Sequence, residues 1–190
     1  MLPVGTSVAV IEGTGALADA LRAGSIVCGC STTIVVAQIA TAATPFEELT
    51  DDDFEAAWEQ PMQHAIAAFQ RAHRAGHARL IAIVPTIGMS GAPMLGHVAA
   101  TAEAIRVMVK SAARQWGAGG MTVNCIALAP ELFGIDPSTV GVVSLAPPAL
   151  YGTGTVVDDV IPLLRMLAGE DAHHLTGATL TADGGMWMTA

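Results

Sequence analysis

The sequence predicts an α/β protein with a doubly wound parallel sheet, because apolar strand-like runs alternate with helical segments along most of the chain. The alternation is clearest in the centre: a strand at 79–86, a loop rich in glycine, serine and proline, a long helix at 97–117 and a strand at 121–127. Another apolar run at 34–40 precedes them. Strands that are joined by helices pair in parallel. We predict one domain over residues 1–190, since a chain of this length can form a single core.

Before the run at 34–40, the chain has space for few elements. A strand that begins at Val8 leads into a turn with Gly13 and Gly15, and a helix at 16–23 and a short strand at 25–30 follow. The two glycines suit a plain strand-to-helix turn.

A second helix is predicted at 50–73. Thr50 is its N-cap, and the acidic triplet at 51–53 places negative charge at the positive end of the helix dipole. Pro61 lacks a backbone N–H and must distort this helix. Consecutive residues at a helix start point in different directions, so the triplet is not predicted to bind a metal.

The helix at 97–117 has an unusually narrow charged face. Its charged residues Glu103, Arg106, Lys110 and Arg114 are spaced three, four and four apart and form one stripe. Nearly all its other residues are apolar or small, whereas a helix on its own sheet needs only about a 100° apolar arc. We predict that a second protein surface covers the remainder. The alternative is that this helix is enclosed within its own domain.

The C-terminal third is predicted to be less regular. Residues 132–154 contain Pro137, Pro147, Pro148 and several glycines, which is typical of an irregular connection. A helix at 156–168 follows, and Pro162 requires a local bend in it.

Composition excludes several classes of protein. The formal charge of −9 and the absence of a Lys/Arg cluster argue against a nucleic-acid partner. The N-terminus has no signal-peptide pattern, and the most apolar window, 25–43, is interrupted by polar residues, so no membrane span is expected. The cysteines, Cys28, Cys30 and Cys125, have no metal-ligand spacing and fit a reducing cytoplasm.

One bulk property points to a covered surface. The chain is 52% hydrophobic and 13% charged, against about 45–50% and about 25% for an ordinary soluble domain. A molecule other than water is therefore expected to cover part of the protein surface.

Residues 34–185 resemble the short-chain dehydrogenase/reductase family. The run at 34–40 is similar to the family's strand that ends in Asn-Asn-Ala-Gly, and residues 46–54 to the linker that opens its next helix. The segment 121–127 resembles the strand with Val-Asn-x-Ile, and residues 174–185 the last strand with its Asp-Gly-Gly ending. The resemblance implies a Rossmann-like fold, although fold does not fix function.

The resemblance also assigns the family's catalytic places, and they are degenerate. Pro61 aligns with the catalytic Asn, and Thr86 aligns with the Ser, with Pro85 as the alternative. His97 and Thr101 align with the Tyr and the Lys of Tyr-x-x-x-Lys. In the family the Tyr transfers the proton and the Lys lowers its pKa and holds the nicotinamide ribose. No catalytic residue is therefore expected in this chain.

The cofactor motif is degenerate as well. Gly13 matches the first glycine of Gly-x-x-x-Gly-x-Gly, but Leu17 and Asp19 occupy the next two places, so bulk and negative charge are expected at the phosphate site. Glu12 adds another carboxylate. Relatives normally fit two more strands and two helices before residue 34, so the fold is predicted to be truncated in its N-terminal nucleotide-binding half. We expect no cofactor or metal in this chain and NAD(P) in a partner subunit.

These observations predict a non-catalytic subunit, inactive alone, that pairs with an active family paralogue. In the family the two helices matching 50–73 and 97–117 form the main subunit interface, which implies a heterodimer or heterotetramer through them. The complex would oxidise or reduce a hydroxy or keto substrate, acyl thioesters included.

Two alternatives remain open from the sequence. One is an enzyme of altered, nicotinamide-independent chemistry that uses Thr86 and His97, which requires a pocket joining them. The other is a homo-oligomeric binding or regulatory protein.

Overall fold

A five-stranded parallel sheet forms the centre of the computed structural model, which describes residues 6–136, 138, 148–150, 152 and 154–188. The strands are β1 (Ser7–Val8), β2 (Val10–Glu12), β3 (Val27–Cys28), β4 (Thr32–Val36), β5 (Arg79–Pro85), β6 (Thr122–Leu128) and β7 (Thr179–Ala182). The main sheet has the order β2-β4-β5-β6-β7, and all its neighbours are parallel. The predicted fold class is confirmed.

Helices cover both faces of this sheet. They are α1 (Ala16–Ala23), α2 (Asp51–Phe54), α3 (Gln60–Arg74), α4 (Ile87–Ser90), α5 (Gly96–Trp116) and α6 (Ile161–Leu167). One apolar core lies between the sheet and helices α3 and α5, and another lies between the sheet and helices α1 and α6. Strands β4, β5 and β6 are buried along their whole lengths, as a sheet covered on both faces requires.

Both predicted proline bends take the same form. A π-helical turn at Glu55–Glu59 precedes α3, with Pro61 in its first turn, and another at Val156–Val160 precedes α6, with Pro162 in its first turn. Proline has no N–H to donate, so the helix widens on the N-terminal side instead of continuing regularly. At the start of α2, Thr50 and Asp53 form the capping box that completes its predicted N-cap.

The N-terminal part departs from a regular layer. The predicted strand at 25–30 is shortened to β3, which pairs antiparallel with β1 in a separate two-stranded sheet. As a result β2 is an edge strand of the main sheet. Arg22 of α1 partly closes this edge, because its guanidinium donates to the carbonyls of Ile11 and Gly13.

The surface of α5 is less exposed than the sequence indicated. Many of its apolar residues are buried on the protein's own sheet, namely Val98, Ala99, Ala102, Ile105, Val109, Ala112 and Ala113. Val107 remains 47% exposed, and Ile66 of the neighbouring α3 is 43% exposed. The surface available to another protein is therefore narrower than predicted.

Two other expectations concern the rest of the chain. The predicted irregular connection at 132–154 lies mostly outside the described residues, Pro137 and Pro147 included; Pro130–Phe133 forms a 3₁₀ turn. Within the described residues, no helix combines the length and the apolar character needed to span a bilayer.

Candidate functional site

The main cleft lies where β2 and β4 end and α1 begins. It has a volume of about 480 Å³, and its walls include Thr14, Gly15, Leu17, Gln38, Gln60 and Pro61. In open parallel sheets, ligands bind beyond the carboxyl ends of the strands. The cleft is therefore the candidate ligand site of this fold.

The glycine turn brings backbone close to backbone at one side of the cleft. Gly13 has φ +127°, and a Cβ there would lie 2.8 Å from the carbonyl oxygen of Val36. Gly15 is the N-cap of α1 with φ +94°, and a Cβ there would meet open space. The turn thus leaves room in front of the helix N-terminus, which favours negative charge.

Leu17 and Asp19 are placed differently from each other. Leu17 contributes to the cleft wall, but it is only 5% exposed and packs in the core beneath α1. Asp19 is not a wall residue; its carboxylate accepts a hydrogen bond of 2.8 Å from Arg22 and is solvent-exposed. Contrary to the expectation, Asp19 does not line this cleft, and its charge is paired with that of Arg22.

Glu12 is also paired, which the sequence did not indicate. Arg71 of α3 donates two hydrogen bonds to its carboxylate, at 3.0 Å and 2.9 Å. The guanidinium of Arg71 holds the pKa of Glu12 below its ordinary value. Nearby, burial lowers the pKa of His64, whose Nε2 is buried with no described hydrogen-bond partner. The pair joins residues 59 positions apart, so no local pattern could have revealed it.

The residues that align with the family's four catalytic positions do not come together in the cleft. Of the four, only Pro61 contributes to its wall. The side chain of Thr86 is buried at the end of β5, where its backbone N–H donates to Leu128. His97 lies in the first turn of α5; its Nε2 is 3.2 Å from the carbonyl oxygen of Ala42, and its Nδ1 is buried without a described partner.

Thr101 is fully buried and has a structural partner. Its hydroxyl donates to the carbonyl of Ala57 at 2.5 Å and also lies 3.1 Å from the carbonyl oxygen of His97. In a regular helix the N–H of residue 61 would donate to Ala57, but Pro61 has none. Pro61 and Thr101, which align with two of the family's catalytic positions, thus belong to one contact between helices in this protein.

The alternative chemistry with Thr86 and His97 requires both side chains to reach one pocket. Neither side chain lines the main cleft. No observation at this cleft therefore favours that alternative.

Other histidine and polar side chains outside the cleft have structural partners. His73 stacks on Trp116 with ring centroids 4.6 Å apart, and Nδ1 of His77 lies 2.6 Å from the Thr33 hydroxyl. Asn124 binds the backbone of Leu175 and Ala178, and Asp183 that of Gly185 and Trp187. In the part of the chain that the structure describes, no group of three acidic, histidine or cysteine residues could hold a metal ion.

The parallel sheet, its two helical layers and a cleft beside a glycine turn define a doubly wound protein of the dinucleotide-fold class. A family model described as enoyl-(acyl carrier protein) reductase matches residues 30–187. The chain belongs to the short-chain dehydrogenase/reductase family, as the resemblance implied.

Curated relatives carry the names of reductases. The chain is 31% identical over 123 residues to an NADPH-dependent aldehyde reductase-like protein of Arabidopsis thaliana, covering 62% of this chain and 45% of that protein. It is 26% identical over 161 residues to the (S)-acetoin-forming diacetyl reductase of Staphylococcus aureus, covering 75% and 62%. The chain thus spans about half to three-fifths of the length of these relatives.

Solved structures share the fold. A short-chain dehydrogenase/reductase from Brucella melitensis has a TM-score of 0.68 at 21% identity, covering 82% of this chain and 65% of that one. A putative dehydrogenase from Burkholderia cenocepacia with bound NADP gives 0.67 at 20%, covering 83% and 63%. At these identities the likeness supports the fold.

One prediction from the sequence is wrong. The chain was expected not to be an enzyme, from its degenerate catalytic places. The family model and the relatives are those of reductases and dehydrogenases, so the family points to an enzyme.

Proposed function

We propose that this chain is an oxidoreductase subunit that assembles with an NAD(P)-binding paralogue of the same family. The observation that carries the proposal is the surface of α3 and α5. There the exposed side chains of Ile66 and Val107 adjoin a groove of about 420 Å³ whose walls include Phe69, Met108 and Trp116. Exposed apolar side chains around a groove are typical of protein interaction sites.

The nicotinamide cofactor is proposed to bind in the paralogue. In a dinucleotide fold, the strand beside the glycine turn is followed by a neighbour whose acidic residue binds the adenosine ribose. Here β2, beside the glycine turn, is the edge strand, and the chain between α1 and β4 contributes only β3, which pairs with β1. This geometry supports a cofactor that is bound by another chain. The cleft of this chain remains available to contribute to the ligand site of the complex.

The reaction proposed for the assembly is the interconversion of a hydroxy and a keto group. The relatives include an aldehyde reductase-like protein, a diacetyl reductase and a 3-oxoacyl-(acyl carrier protein) reductase, whose names describe the reduction of a carbonyl group. Small carbonyl compounds and acyl thioesters are the substrate classes to test first.

The test is co-expression of this chain with each family paralogue encoded in the same genome. We expect one paralogue to form a complex of fixed stoichiometry that binds NADH or NADPH and turns over more substrate than the separated chains together. Ile66→Asp and Val107→Asp should each prevent the complex. The control is Val157→Asp, since Val157 is 65% exposed but lies in the π-helical turn before α6, on the opposite face of the sheet.

The proposal would be overturned in either of two ways. No paralogue forms a complex, or the purified chain binds one equivalent of NADPH without any partner. Equal loss of the complex with the control variant would also remove the assigned surface.

A further inference from the structure

The charged stripe of α5 divides into two parts in the structure. Glu103 and Arg106 pair with each other, because the guanidinium of Arg106 donates to both carboxylate oxygens, with its Nε at 2.7 Å. Lys110 and Arg114, one and two turns after Arg106, are exposed and form no ion pair with a described residue. Two positive charges are therefore left uncompensated near the C-terminal end of the helix, where they lie four positions apart and repel each other.

Both unpaired cations line a pocket between α5 and the segment that leads into β7. The pocket has a volume of about 430 Å³, and its walls include Lys110, Ala113 and Arg114 of α5 and Thr176 and Gly177 of that segment. None of these wall residues is acidic. The chain has 8 Lys and Arg residues against 17 Asp and Glu, so the pocket locally reverses the sign of the net charge. Such a reversal concentrates anions at the site.

The segment before β7 forms a fixed wall opposite the helix. The N–H of Gly177 donates to the carbonyl of Val123 on β6 at 2.7 Å, and the hydroxyl oxygen of Thr176 accepts from the N–H of Val123 at 3.1 Å. Gly177 has φ +73°, and a Cβ there would lie 3.6 Å from the Cβ of Ala113, so the segment packs directly against α5. The width of the pocket is therefore set by hydrogen bonds and close packing, and not by the two cations.

Thr176 adds a neutral donor to the two cations. Its oxygen accepts the hydrogen bond from Val123, and its hydroxyl hydrogen has no acceptor among the described residues. That hydrogen can turn toward the pocket, since a hydroxyl both accepts and donates. The ammonium of Lys110 and the guanidinium of Arg114 carry further donors and no acceptor. Two full positive charges and donors from three side chains are the groups that bind an oxyanion.

We propose that this pocket binds the dianionic phosphoryl group of free phosphate or of a phosphate monoester. The charge of a dianion matches that of the two cations, and its oxygens can accept hydrogen bonds from Lys110, Arg114 and the Thr176 hydroxyl together. A phosphate ion occupies only a few water volumes, so a pocket of about 430 Å³ leaves room for the organic group of a monoester. The bound group bridges α5 to the segment before β7 and removes the repulsion between the two cations.

This pocket is separate from the two surfaces assigned above. The cleft lies where β2 and β4 end, near the opposite edge of the main sheet from β7. The groove beside α3 includes Met108 of α5, and at 3.6 residues per turn Met108 and Lys110 lie on opposite sides of that helix. Phosphate binding here is therefore independent of the proposed paralogue complex, and its test uses this chain only.

The experiment is isothermal titration calorimetry of the purified chain with inorganic phosphate and with phenyl phosphate, at an ionic strength held constant with sodium chloride. We expect one saturable site with a dissociation constant of about 1 mM or below. Acetate, a monoanion, should bind about tenfold more weakly or less, because it carries half the charge. Phosphate that binds as tightly as phenyl phosphate assigns the site to the free ion, and tighter phenyl phosphate assigns it to a monoester.

Two sets of variants assign the binding to this pocket. Lys110→Gln with Arg114→Gln should weaken phosphate binding about tenfold or more, since it removes both charges. The matched control is Arg74→Gln with Arg165→Gln, which removes two exposed charges outside the pocket and should change binding less than about twofold. Thr176→Val should weaken binding about threefold to tenfold, and Thr176→Ser should restore it. Circular dichroism checks that each variant is folded.

The proposal would be overturned if neither phosphate nor phenyl phosphate shows saturable binding in the millimolar range. It would also be overturned if the control variant loses as much affinity as the pocket variant, or if acetate binds as tightly as phosphate. Binding of an acidic protein segment without binding of the two small ligands would have the same consequence. A paralogue complex that forms while phosphate binding fails would leave the proposed function standing and remove only this inference.

Discussion

The hydroxyl of Thr101 on α5 donates to the backbone carbonyl of Ala57 in the π-helical turn before α3, at 2.5 Å. In a regular helix the carbonyl of Ala57 would accept a hydrogen bond from the N–H of residue 61. Pro61 has no N–H to donate to the residue four positions back. Ala57 is also buried, so an unpaired carbonyl there would be costly. Thr101 thus compensates the proline across a helix contact.

This relationship predicts an energetic coupling between residues 61 and 101. Thr101→Val keeps the shape and removes the hydroxyl, and we expect a loss of about 1–3 kcal/mol in the free energy of unfolding. In a Pro61→Ala background the new N–H can serve Ala57, so the same change should cost less. Urea denaturation of the four proteins measures the coupling.

Thr101→Ser is the control for that cycle, since it keeps a hydroxyl and should cost less than Thr101→Val. An equal cost of Thr101→Val in both backgrounds would contradict the compensation.

The sequence predicted one half of this arrangement. A proline in a helix has a local consequence, so the bend at Pro61 followed directly from its missing N–H. The partner at Thr101 could not be predicted, because the contact joins residues 44 positions apart and depends on how α5 packs against α3. Strands and helices also depend mainly on local sequence, so most of them were predicted correctly. The pairing of Glu12 with Arg71 joins distant residues, so it was missed.

The N-terminal segment shows a second limit of sequence reasoning. Its helix was predicted at 16–23, which agrees with α1, and the short length of the segment was evident. Apolar runs alone do not reveal which strand pairs with which, so the antiparallel pairing of β3 with β1 was not foreseen. The pairing of Asp19 with Arg22 was also not foreseen, although the two residues are three positions apart on the predicted helix.

The two glycines of the turn are predicted to differ in their tolerance of a side chain. Gly13→Ala should lower the free energy of unfolding more than Gly15→Ala, by about 1–3 kcal/mol. Both residues have positive φ, so both variants carry backbone strain. Only at residue 13 does the added Cβ also meet a backbone oxygen, that of Val36.

Thermal unfolding of the two variants measures the difference. Equal destabilisation would mean that the close approach of Gly13 to β4 has no energetic weight.

Arg22 is predicted to protect the open edge of the main sheet. It donates hydrogen bonds to the carbonyls of Ile11, on edge strand β2, and of Gly13, in the turn after it. Unpaired edge groups are templates for pairing with another chain. Arg22→Ala should therefore aggregate faster on mild heating, as followed by light scattering.

The matched control is Arg165→Ala, which removes the same charge from an exposed position on α6. If both variants aggregate at the same rate, net charge and not the edge accounts for the effect.

The ion pair of Glu12 with Arg71 is predicted to make stability depend on pH. Arg71 holds the pKa of Glu12 below its ordinary value of 4.5, so the folded state binds this proton less readily than the unfolded state. The pair therefore stabilises the fold above the unfolded pKa, and this contribution is lost as pH falls through the lower, folded pKa. Arg71 is half exposed, which limits the contribution to about 1 kcal/mol or less.

Glu12→Gln tests this prediction in urea denaturation between pH 7 and pH 3. The wild-type chain should be more stable than the variant at pH 6–7, and the difference should shrink as pH falls below about 5. Glu47→Gln is the control, because this exposed carboxylate pairs with no described cation and its removal should give a small difference at every pH. If the difference in unfolding free energy between the wild-type chain and Glu12→Gln stays constant down to pH 3, the charge of the Glu12 carboxylate does not stabilise the contact between β2 and α3.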